Sequence, residues 1–311
     1  MALDSKNYRP QTFDDYIGQD KAKKMLKVYI QAAKMRGECL DHVLLSAGSG
    51  FGKTTFAQII ANESGCNLKV YSCPAIKTVD DVKDILLKVE EGDMILFDEV
   101  QSLKKKIQEV VFLAMEQYIV DSDIEGIPQR VNIPHFTLIA CTTELGGLEL
   151  PMRNRFQIHI QLHNYDKKDM TTIVKQAYTA MNISISDKCA KLIAACCRGV
   201  PRIANSYVRR IQDFALVMNN GEITPEIILE AFDFMDINKY GLNKMDMDYL
   251  TYLSNVRKSV GVDTIAVALG TDKLSLESTV EPYLLNEGYI TKGARGRIIT
   301  QKGIDIIKEF E

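Results

Sequence analysis

The stretch LLSAGSGFGKTT, residues 44–55, decides the fold of the N-terminal half of this chain. Its leading leucines have the pattern of a buried strand, and the residues from Thr55 onward have the pattern of a helix. The glycines between them allow successive backbone N–H groups to turn toward an anion, which the positive end of the helix dipole also favours. The stretch therefore predicts a polyphosphate-binding loop. For the glycines alone, the alternative is an ordinary turn between a strand and a helix.

The residues that end this loop favour a nucleotide. In the pattern G-x-x-x-x-G-K-[ST], the lysine reaches the β- and γ-phosphates and the hydroxyl ligates Mg²⁺, and Lys53 and Thr54 occupy these positions. Ala47 stands where the pattern has its first glycine. We expect Gly48, the next residue, to supply the backbone freedom instead.

Composition indicates an ordinary globular protein of two or three domains, with 311 residues, 46% of them hydrophobic and 25% charged. No apolar run approaches the roughly 18 residues that span a bilayer, and the polar start is unlike a signal peptide, so we expect a soluble cytoplasmic protein without a membrane partner. The seven scattered cysteines include no C-x-x-C pair and are expected to be reduced core residues. With a net charge of −3, any nucleic-acid contact must be local.

Two further strand ends carry polar groups suited to ATP hydrolysis. The apolar run 94–97 leads into Asp98 and Glu99, where Asp98 would hold Mg²⁺ through water and Glu99 would polarise the attacking water. The strand predicted at 136–141 ends in Thr142 and Thr143, either of which could bond the γ-phosphate or that water. Threonine is also common in strands for its β-propensity alone.

Several basic and aromatic segments admit two interpretations. The arm at 8–19 could pack on an adenine or serve as a linker with two aromatic anchors. Arg153 and Arg155 could be surface charge, or could include the arginine that a ring ATPase offers to a neighbouring subunit's nucleotide. Between the arm and these arginines, we predict a helix at 104–116 and a β-hairpin within 118–134.

The remainder of the chain predicts two smaller domains. Helices at about 167–181, 187–197, 203–219 and 225–235 form one, and Arg202 at the start of the third is placed to touch phosphate. Residues 245–311 have the pattern of a winged helix, with a kink expected at Pro282. Its third helix would expose Ser275, Glu277, Ser278 and Glu281, which suits base reading poorly. The wing's Lys292, Arg295 and Arg297 would contact phosphates irrespective of sequence, or the domain could dock a protein.

Taken together, these segments resemble the RuvB family of AAA+ ATPases, which drive branch migration of Holliday junctions in recombination and repair. The residues that carry the resemblance are YRPQTFDDYIGQ at 8–19, DHVLLSAGSGFGKTT at 41–55, ILFDEV at 95–100, FTLIACTT at 136–143, PMRNRF at 151–156, GVPRIANSYVRRIQDFA at 199–215 and VEPYLLNEGYITKGARGR at 280–297. It implies an α/β AAA+ domain with a parallel sheet and helices on both faces at 1–165, a helical lid at 166–240 and a winged helix at 241–311.

The resemblance also implies roles for individual residues. Tyr8, Arg9 and Tyr165 would lie beside the nucleotide, and Gly50, Gly52, Lys53, Thr54 and Thr55 would hold the phosphates and Mg²⁺ of ATP. Asp98 and Glu99 become the Walker B pair, Thr143 or Thr142 the first sensor, Arg155 the finger that acts in trans, and Arg202 the second sensor. Lys292, Arg295 and Arg297 become the DNA contacts. The implied assembly is a homo-hexamer on duplex DNA and four-way junctions, with a RuvA-type protein docked on the hairpin.

Four features depart from the family pattern. Ala47-Gly48-Ser49 replaces the usual Gly-Pro-Pro, Glu144 replaces an arginine, Gln157 replaces a glycine, and the hairpin is shorter. Two rival functions share the same nucleotide chemistry. One is a nucleotide-gated DNA-binding switch of the clamp-loader or initiator type, and the other is a protein-remodelling ATPase that docks through its winged helix.

Overall fold

The computed structural model describes residues 9–124 and 127–310. By compactness, the chain divides into two units, of which one is Met1–Ile183 with Gly199–Arg202, and the other is Ser184–Arg198 with Ile203–Glu311. This division differs from the three predicted domains, because the first predicted lid helix groups with the nucleotide-binding part. The boundaries at 165 and 240 stay predictions.

A five-stranded parallel sheet forms the centre of the first unit, in the order β2-β3-β6-β1-β7. A separate antiparallel hairpin is formed by β4 and β5. The bounds are β1 Val43–Ser46, β2 Leu68–Ser72, β3 Met94–Asp98, β4 Ile119–Ile124, β5 Ile127–Asn132, β6 Thr137–Thr142 and β7 Ile158–Gln161. The predicted buried runs fill the middle of the sheet, where β3 is buried up to Asp98 and β6 is buried throughout.

Six helices accompany this sheet, and the direction of the chain distributes them over both faces. They are α1 Asp20–Arg36, α2 Lys53–Ser64, α3 Val79–Leu86, α4 Lys105–Gln117, α5 Leu150–Asn154 and α6 Lys167–Ala180. The chain crosses the sheet one way from β1 to β2 and returns from β2 to β3. Because such crossovers are right-handed, α2 and α3 lie on opposite faces. The predicted α/β sheet is therefore confirmed.

The N-terminal arm is fastened to the helix that follows the phosphate loop. Phe13 and Tyr16 are 1% and 5% exposed, and both rings pack on Phe56 of α2 at centroid distances of 5.7 and 5.0 Å. The structure therefore shows the two aromatic anchors. Arg9 is exposed, and Tyr8 lies outside the described residues.

The second unit contains helices and one small ribbon. The bounds are α7 Asp187–Cys196, α8 Pro201–Met218 with its first two residues in the other unit, α9 Pro225–Phe234, α10 Lys244–Val256, α11 Val262–Leu269, α12 Lys273–Ser275, α13 Glu281–Asn286, β8 Ile290–Gly293, β9 Gly296–Ile299 and α14 Gln301–Phe310. A π-helical turn, Leu276–Val280, joins α12 to α13 just before Pro282. The predicted disturbance is present because proline lacks the N–H that a regular turn needs.

Five of the seven cysteines are buried, and the two at positions 39 and 66 are partly exposed. Burial raises the pKa of the Cys73 thiol to about 12 and that of Cys196 to about 11, so these side chains behave as apolar core groups. Within 9–124 and 127–310, the helices are all too short or too polar for a bilayer span.

Candidate nucleotide site and nucleic-acid surface

The phosphate loop depends on two glycines with left-handed backbone. Gly50 and Gly52 have φ of 84° and 89°, which side chains with a Cβ rarely adopt. Our expectation for Gly48 is wrong, because its φ is not among the positive values of the described residues. Gly48 instead makes room for Phe51, whose ring would lie 2.8 Å from an added Cβ. Ala47 is buried, and its N–H donates to the Thr142 carbonyl at 3.2 Å.

Lys53 closes the loop from inside. It is the first residue of α2, and its Nζ donates to the carbonyls of Ala47 at 2.8 Å and Gly48 at 3.0 Å. Partial burial lowers its pKa. An ammonium group at this place, together with the free N–H groups that begin α2, makes the loop an anion site. The half-buried Thr55 is the third residue of the same helix.

Thr54 and Asp98 meet at the carboxyl end of the sheet. The Thr54 hydroxyl donates to Asp98 Oδ2 at 3.0 Å, so two hard oxygen ligands face one point. The described residues offer no cluster of three or more His, Cys, Asp or Glu side chains for a metal. This pair therefore fits Mg²⁺ that takes its remaining ligands from phosphate and water.

Glu99 is held in an uncommon backbone conformation beside this pair. Its φ is 57°, its N–H donates to Asp98 Oδ1 at 3.1 Å, and its side chain is exposed. Left-handed backbone at a residue other than glycine costs free energy and is concentrated at functional sites. The carboxylate thus stands free at the strand end, where a general base is required.

The paired threonines after β6 differ in their surroundings. Thr142 is fully buried, and its hydroxyl is engaged with the backbone of Glu144. Thr143 is exposed, and its Oγ1 accepts from Gln101 Nε2 at 3.1 Å. Because the Thr143 hydroxyl keeps its own proton to donate, Thr143 is the better placed sensor.

Arg202 and Tyr165 approach the loop from the chain segments that follow β7. The Arg202 N–H donates to the Gly50 carbonyl at 3.3 Å, and its Nη1 donates to Ser49 Oγ at 3.0 Å. The buried Tyr165 hydroxyl donates to that of Tyr16 at 2.8 Å, and Tyr16 in turn contacts the Phe51 carbonyl at 3.4 Å. Both predicted neighbours of the nucleotide therefore lie at the loop.

Arg155 lies near the amino-terminal ends of the parallel strands, opposite the strand ends that carry the phosphate loop. It follows α5 and precedes β7, whose first residue Ile158 pairs with Val43 at the beginning of β1. The phosphate loop follows the other end of β1, about 13 Å away along a four-residue strand. The Arg155 Nη2 donates to the Glu116 carbonyl at 3.2 Å, and Nη1 lies 3.7 Å from the Glu116 carboxylate. The sheet thus separates this guanidinium from the loop of its own chain.

Known proteins share this arrangement over almost the whole chain. A Campylobacter hominis protein named Holliday junction branch migration complex subunit RuvB is 41% identical over 304 residues, which cover 96% of this chain and 89% of the relative. The chain belongs to the RuvB family. A Wolbachia relative of the same name is 40% identical over 301 residues, covering 96% of this chain and 92% of the relative.

Family models and a solved RuvB structure agree with this assignment. The Holliday junction DNA helicase RuvB P-loop domain matches residues 8–162, the RuvB AAA lid domain 165–238 and the RuvB C-terminal winged helix domain 239–308. A structure titled as the Thermotoga maritima RuvB Holliday junction branch migration motor has a TM-score of 0.86 at 36% identity, covering 97% of this chain and 98% of that one. The predicted AAA+, lid and winged-helix architecture is confirmed.

In the RuvB-type winged helix, one predicted DNA contact is wrong. Arg297 is 6% exposed and donates to both carboxylate oxygens of Glu281, at 2.7 and 2.9 Å, and to Glu277 at 2.6 Å. Glu281, predicted to be exposed, is itself 2% exposed and also accepts from the Tyr249 hydroxyl. Both side chains form a buried ionic network, because each satisfies the charge of the other away from water.

The other two wing cations of this RuvB-family chain remain at the surface. Lys292 and Arg295 are exposed, and Lys292 is only loosely paired with Glu277 at 3.4 Å. The wing turns through Ala294 and Arg295, between β8 and β9. Two cations at the tip, rather than three, are available for phosphate.

The hairpin of β4 and β5 is formed as predicted. Its pairing runs from Ile119 opposite Asn132 to Ile124 opposite Ile127, and residues 125 and 126 lie outside the described part. Arg130 pairs with Asp121 at 3.0 Å on its surface, and Ile127 is 60% exposed. Docking of a RuvA-type partner here stays a prediction.

Sequence reasoning missed the residues that support the site. Tyr16, Ser49, Gln101 and Glu116 each contact a predicted functional residue. Tyr16 lies in the predicted arm and Ser49 in the predicted phosphate loop, but the sequence assigns neither of them its contact. For Ser49 a signal existed, since it is a hydroxyl residue within the predicted phosphate loop. For the others only tertiary packing shows the contact.

Proposed function

We propose that the protein is an ATP-driven DNA motor that promotes branch migration of Holliday junctions, hydrolysing ATP at the interfaces between subunits of a hexameric ring. The observation that carries this proposal is the separation of Arg155 from its own phosphate loop by the length of β1 and β7. An arginine in that position serves a nucleotide only if the nucleotide belongs to a neighbouring subunit. Each chain then contributes its phosphate loop to one interfacial site and its Arg155 to another.

At the first of these sites, the loop binds the triphosphate. Backbone N–H groups around Gly50 and Gly52 and the Lys53 ammonium neutralise the β- and γ-phosphates. Thr54 and Asp98 would hold Mg²⁺, which neutralises phosphate charge when it is bound. Glu99 accepts the proton of the attacking water, and Thr143 donates its hydroxyl proton toward the γ-phosphate or that water.

At the other site, Arg155 stabilises charge on the phosphoryl oxygens of the adjoining subunit's ATP. An arginine of this kind contributes about 10³- to 10⁵-fold to phosphoryl transfer. To reach that nucleotide, its guanidinium must exchange the contacts with Glu116 for phosphate. Because hydrolysis completes only at an interface, ring assembly and ATP turnover become coupled.

The DNA-binding half of the proposal rests on the wing. Lys292 and Arg295 are exposed at the tip of a ribbon, and cations without base-reading neighbours contact phosphates without regard to sequence. Two contacts predict a log–log salt slope of about −2 per protomer. Duplex DNA, four-way junctions and a RuvA-type junction-binding protein are the proposed partners, in the cytoplasm.

A subunit-mixing experiment tests the interfacial site. Arg155→Ala protein is mixed with Lys53→Ala protein, each of which forms only incomplete sites by itself. If Arg155 acts in trans, mixed rings contain sites that combine an intact phosphate loop with an intact arginine, so the mixture recovers ATPase activity. Arg153→Ala protein, the matched control from the same turn, should keep its activity without a partner variant. No recovery of activity in the mixture would contradict action in trans.

A four-way-junction migration assay tests the motor. We expect wild type to convert junctions to duplex products with ATP, and Lys53→Ala protein to convert none. ATP turnover without migration at any ATP concentration, with a RuvA-type protein present, would support the nucleotide-gated switch instead.

A further inference from the structure

We propose that Ser49 is a positioning residue that orients the Arg202 guanidinium toward the γ-phosphate. This inference rests on the proposed ATPase function, in which Arg202 is the second sensor. Ser49 Oγ accepts a hydrogen bond from Arg202 Nη1 at 3.0 Å.

Two successive loop residues, Ser49 and Gly50, both accept hydrogen bonds from Arg202. Its backbone N–H donates to the Gly50 carbonyl at 3.3 Å, and its guanidinium donates to the Ser49 hydroxyl. A Cβ on Gly50 would lie 2.9 Å from both Arg202 Cβ and Val200 Cγ1, so the segment sits directly on the loop. The hydrogen bond to Gly50 fixes the Arg202 backbone, and the hydrogen bond to Ser49 fixes the position of its guanidinium.

The loop itself is arranged to allow this. Phe51 covers Gly48, and a Cβ at position 48 would lie 2.8 Å from its ring. This packing restricts the loop at Gly48 and leaves the side chain of the next residue, Ser49, free to face Arg202. Ser49 is therefore held by its neighbours while its side chain faces Arg202.

The consequence is specific to the triphosphate. A second sensor addresses the γ-phosphate, which ADP lacks, so an ordered guanidinium improves ATP binding and leaves ADP binding nearly unchanged. An arginine with freely rotating side-chain bonds loses more entropy when it binds. A structural role of Ser49 in the loop would instead alter both nucleotides equally, because both use the β-phosphate.

The test compares nucleotide affinities of full-length variants with Mg²⁺, using fluorescent ADP and a fluorescent, slowly hydrolysed ATP analogue. We expect Ser49→Ala to weaken the ATP analogue by about 3- to 10-fold and ADP by less than about 2-fold, in line with one charge-assisted hydrogen bond at a partly exposed site. Ser49→Thr, which keeps the hydroxyl, restores the affinity. Ser64→Ala is the matched control, since the Ser64 hydroxyl on α2 donates to the Ile60 carbonyl of its own helix.

A double-mutant cycle with Arg202→Ala decides the outcome. In that background, Ser49→Ala should have no further effect on the ATP analogue. The proposal is overturned if the loss persists there, if both nucleotides weaken equally, or if Ser49→Ala tightens the ATP analogue. Junction migration is measured separately, so a protein that shows this coupling and moves no junction contradicts the motor and leaves the role of Ser49 standing.

Discussion

The phosphate loop and the wing are both predicted as anion-binding regions, and they differ in how reliably the sequence identifies their residues. At the loop, Gly52 and Lys53 stand where the motif requires, and Gly50 supplies a second left-handed backbone position. At the wing, the fold buries Arg297, one of three predicted contacts. A site built from backbone N–H groups follows from local spacing. A charged side chain, in contrast, remains exposed to solvent only if it forms no ion pair inside the fold.

The largest expected effect sharpens that difference at the wing. Arg297→Ala leaves the Glu281 carboxylate buried without its partner, and should lower the unfolding free energy by about 3 to 5 kcal/mol. Urea unfolding measures this change. Arg295→Ala, an exposed cation of the same wing, should shift stability by less than about 0.5 kcal/mol. Equal effects of the two substitutions would remove the distinction between an internal and a surface cation.

The next largest effect concerns the chemistry at the loop. Glu99→Gln keeps the shape of the side chain but cannot accept a proton, and should lower kcat by about 10²- to 10⁴-fold. Affinity for the ATP analogue should stay within about 2-fold, because the proposed role of Glu99 is to accept a proton from water and not to bind phosphate. Stopped-flow phosphate release and fluorescence titration give the two values. A variant with near-normal kcat would require another base.

His42 offers a contrast to Arg297, since it is buried as a neutral group. Its Nδ1 accepts from the Leu138 N–H at 2.9 Å, Nε2 faces the Met115 carbonyl at 3.3 Å, and burial lowers its pKa to about 4. Below pH 6.5 this histidine is protonated in the unfolded chain, whereas in the folded chain it stays neutral until the pH approaches 4. Stability should therefore fall as the pH decreases from about 6.5 to 4, by about 1.4 kcal/mol per pH unit.

Urea unfolding at pH 7.5 and pH 5 measures the contribution of His42. In His42→Asn protein, whose amide oxygen can still accept from Leu138, the loss between these two conditions should be about 2 kcal/mol smaller. An unchanged pH dependence in this variant would show that His42 is not the group that titrates.

A smaller effect is expected from Gln101, which supports the sensor at the loop side. Gln101→Ala removes the donor to Thr143 and should lower kcat by about 3- to 10-fold, the value of roughly one hydrogen bond. KM for ATP should change little, because Gln101 positions the sensor and does not bind the nucleotide. Ser102→Ala, its exposed neighbour, serves as the control. A loss in the KM alone would contradict this role.

The smallest effect returns to the wing. Lys292→Ala and Arg295→Ala should each reduce the magnitude of the log–log salt slope for duplex binding by about 0.9 per protomer, with equal weakening for unrelated sequences. Fluorescence anisotropy over a series of salt concentrations measures the slope. If neither substitution changes it, the winged helix docks a protein and not DNA.

Much of the fold and the centre of the site follow from the sequence. The buried runs before Asp98 and Thr142 predict parallel strands, and their order along the chain predicts that their ends gather at one edge. The predictions for Gly48 and Glu281 are wrong for a common reason. Their roles depend on the ring of Phe51 and the guanidinium of Arg297, which approach through space and not along a periodic pattern.

The sequence by itself determined the phosphate loop, the acidic strand end and which arginines are candidates for phosphate contact. Each of these depends on residues a few positions apart. Only the tertiary structure decided that Arg155 faces away from its own loop, that Arg202 is held by Ser49, and that Arg297 stabilises the wing from within. The physical reason is that a charged side chain acquires its role from the groups that fold against it. Such groups are chosen by packing and desolvation, which no local pattern of residues encodes.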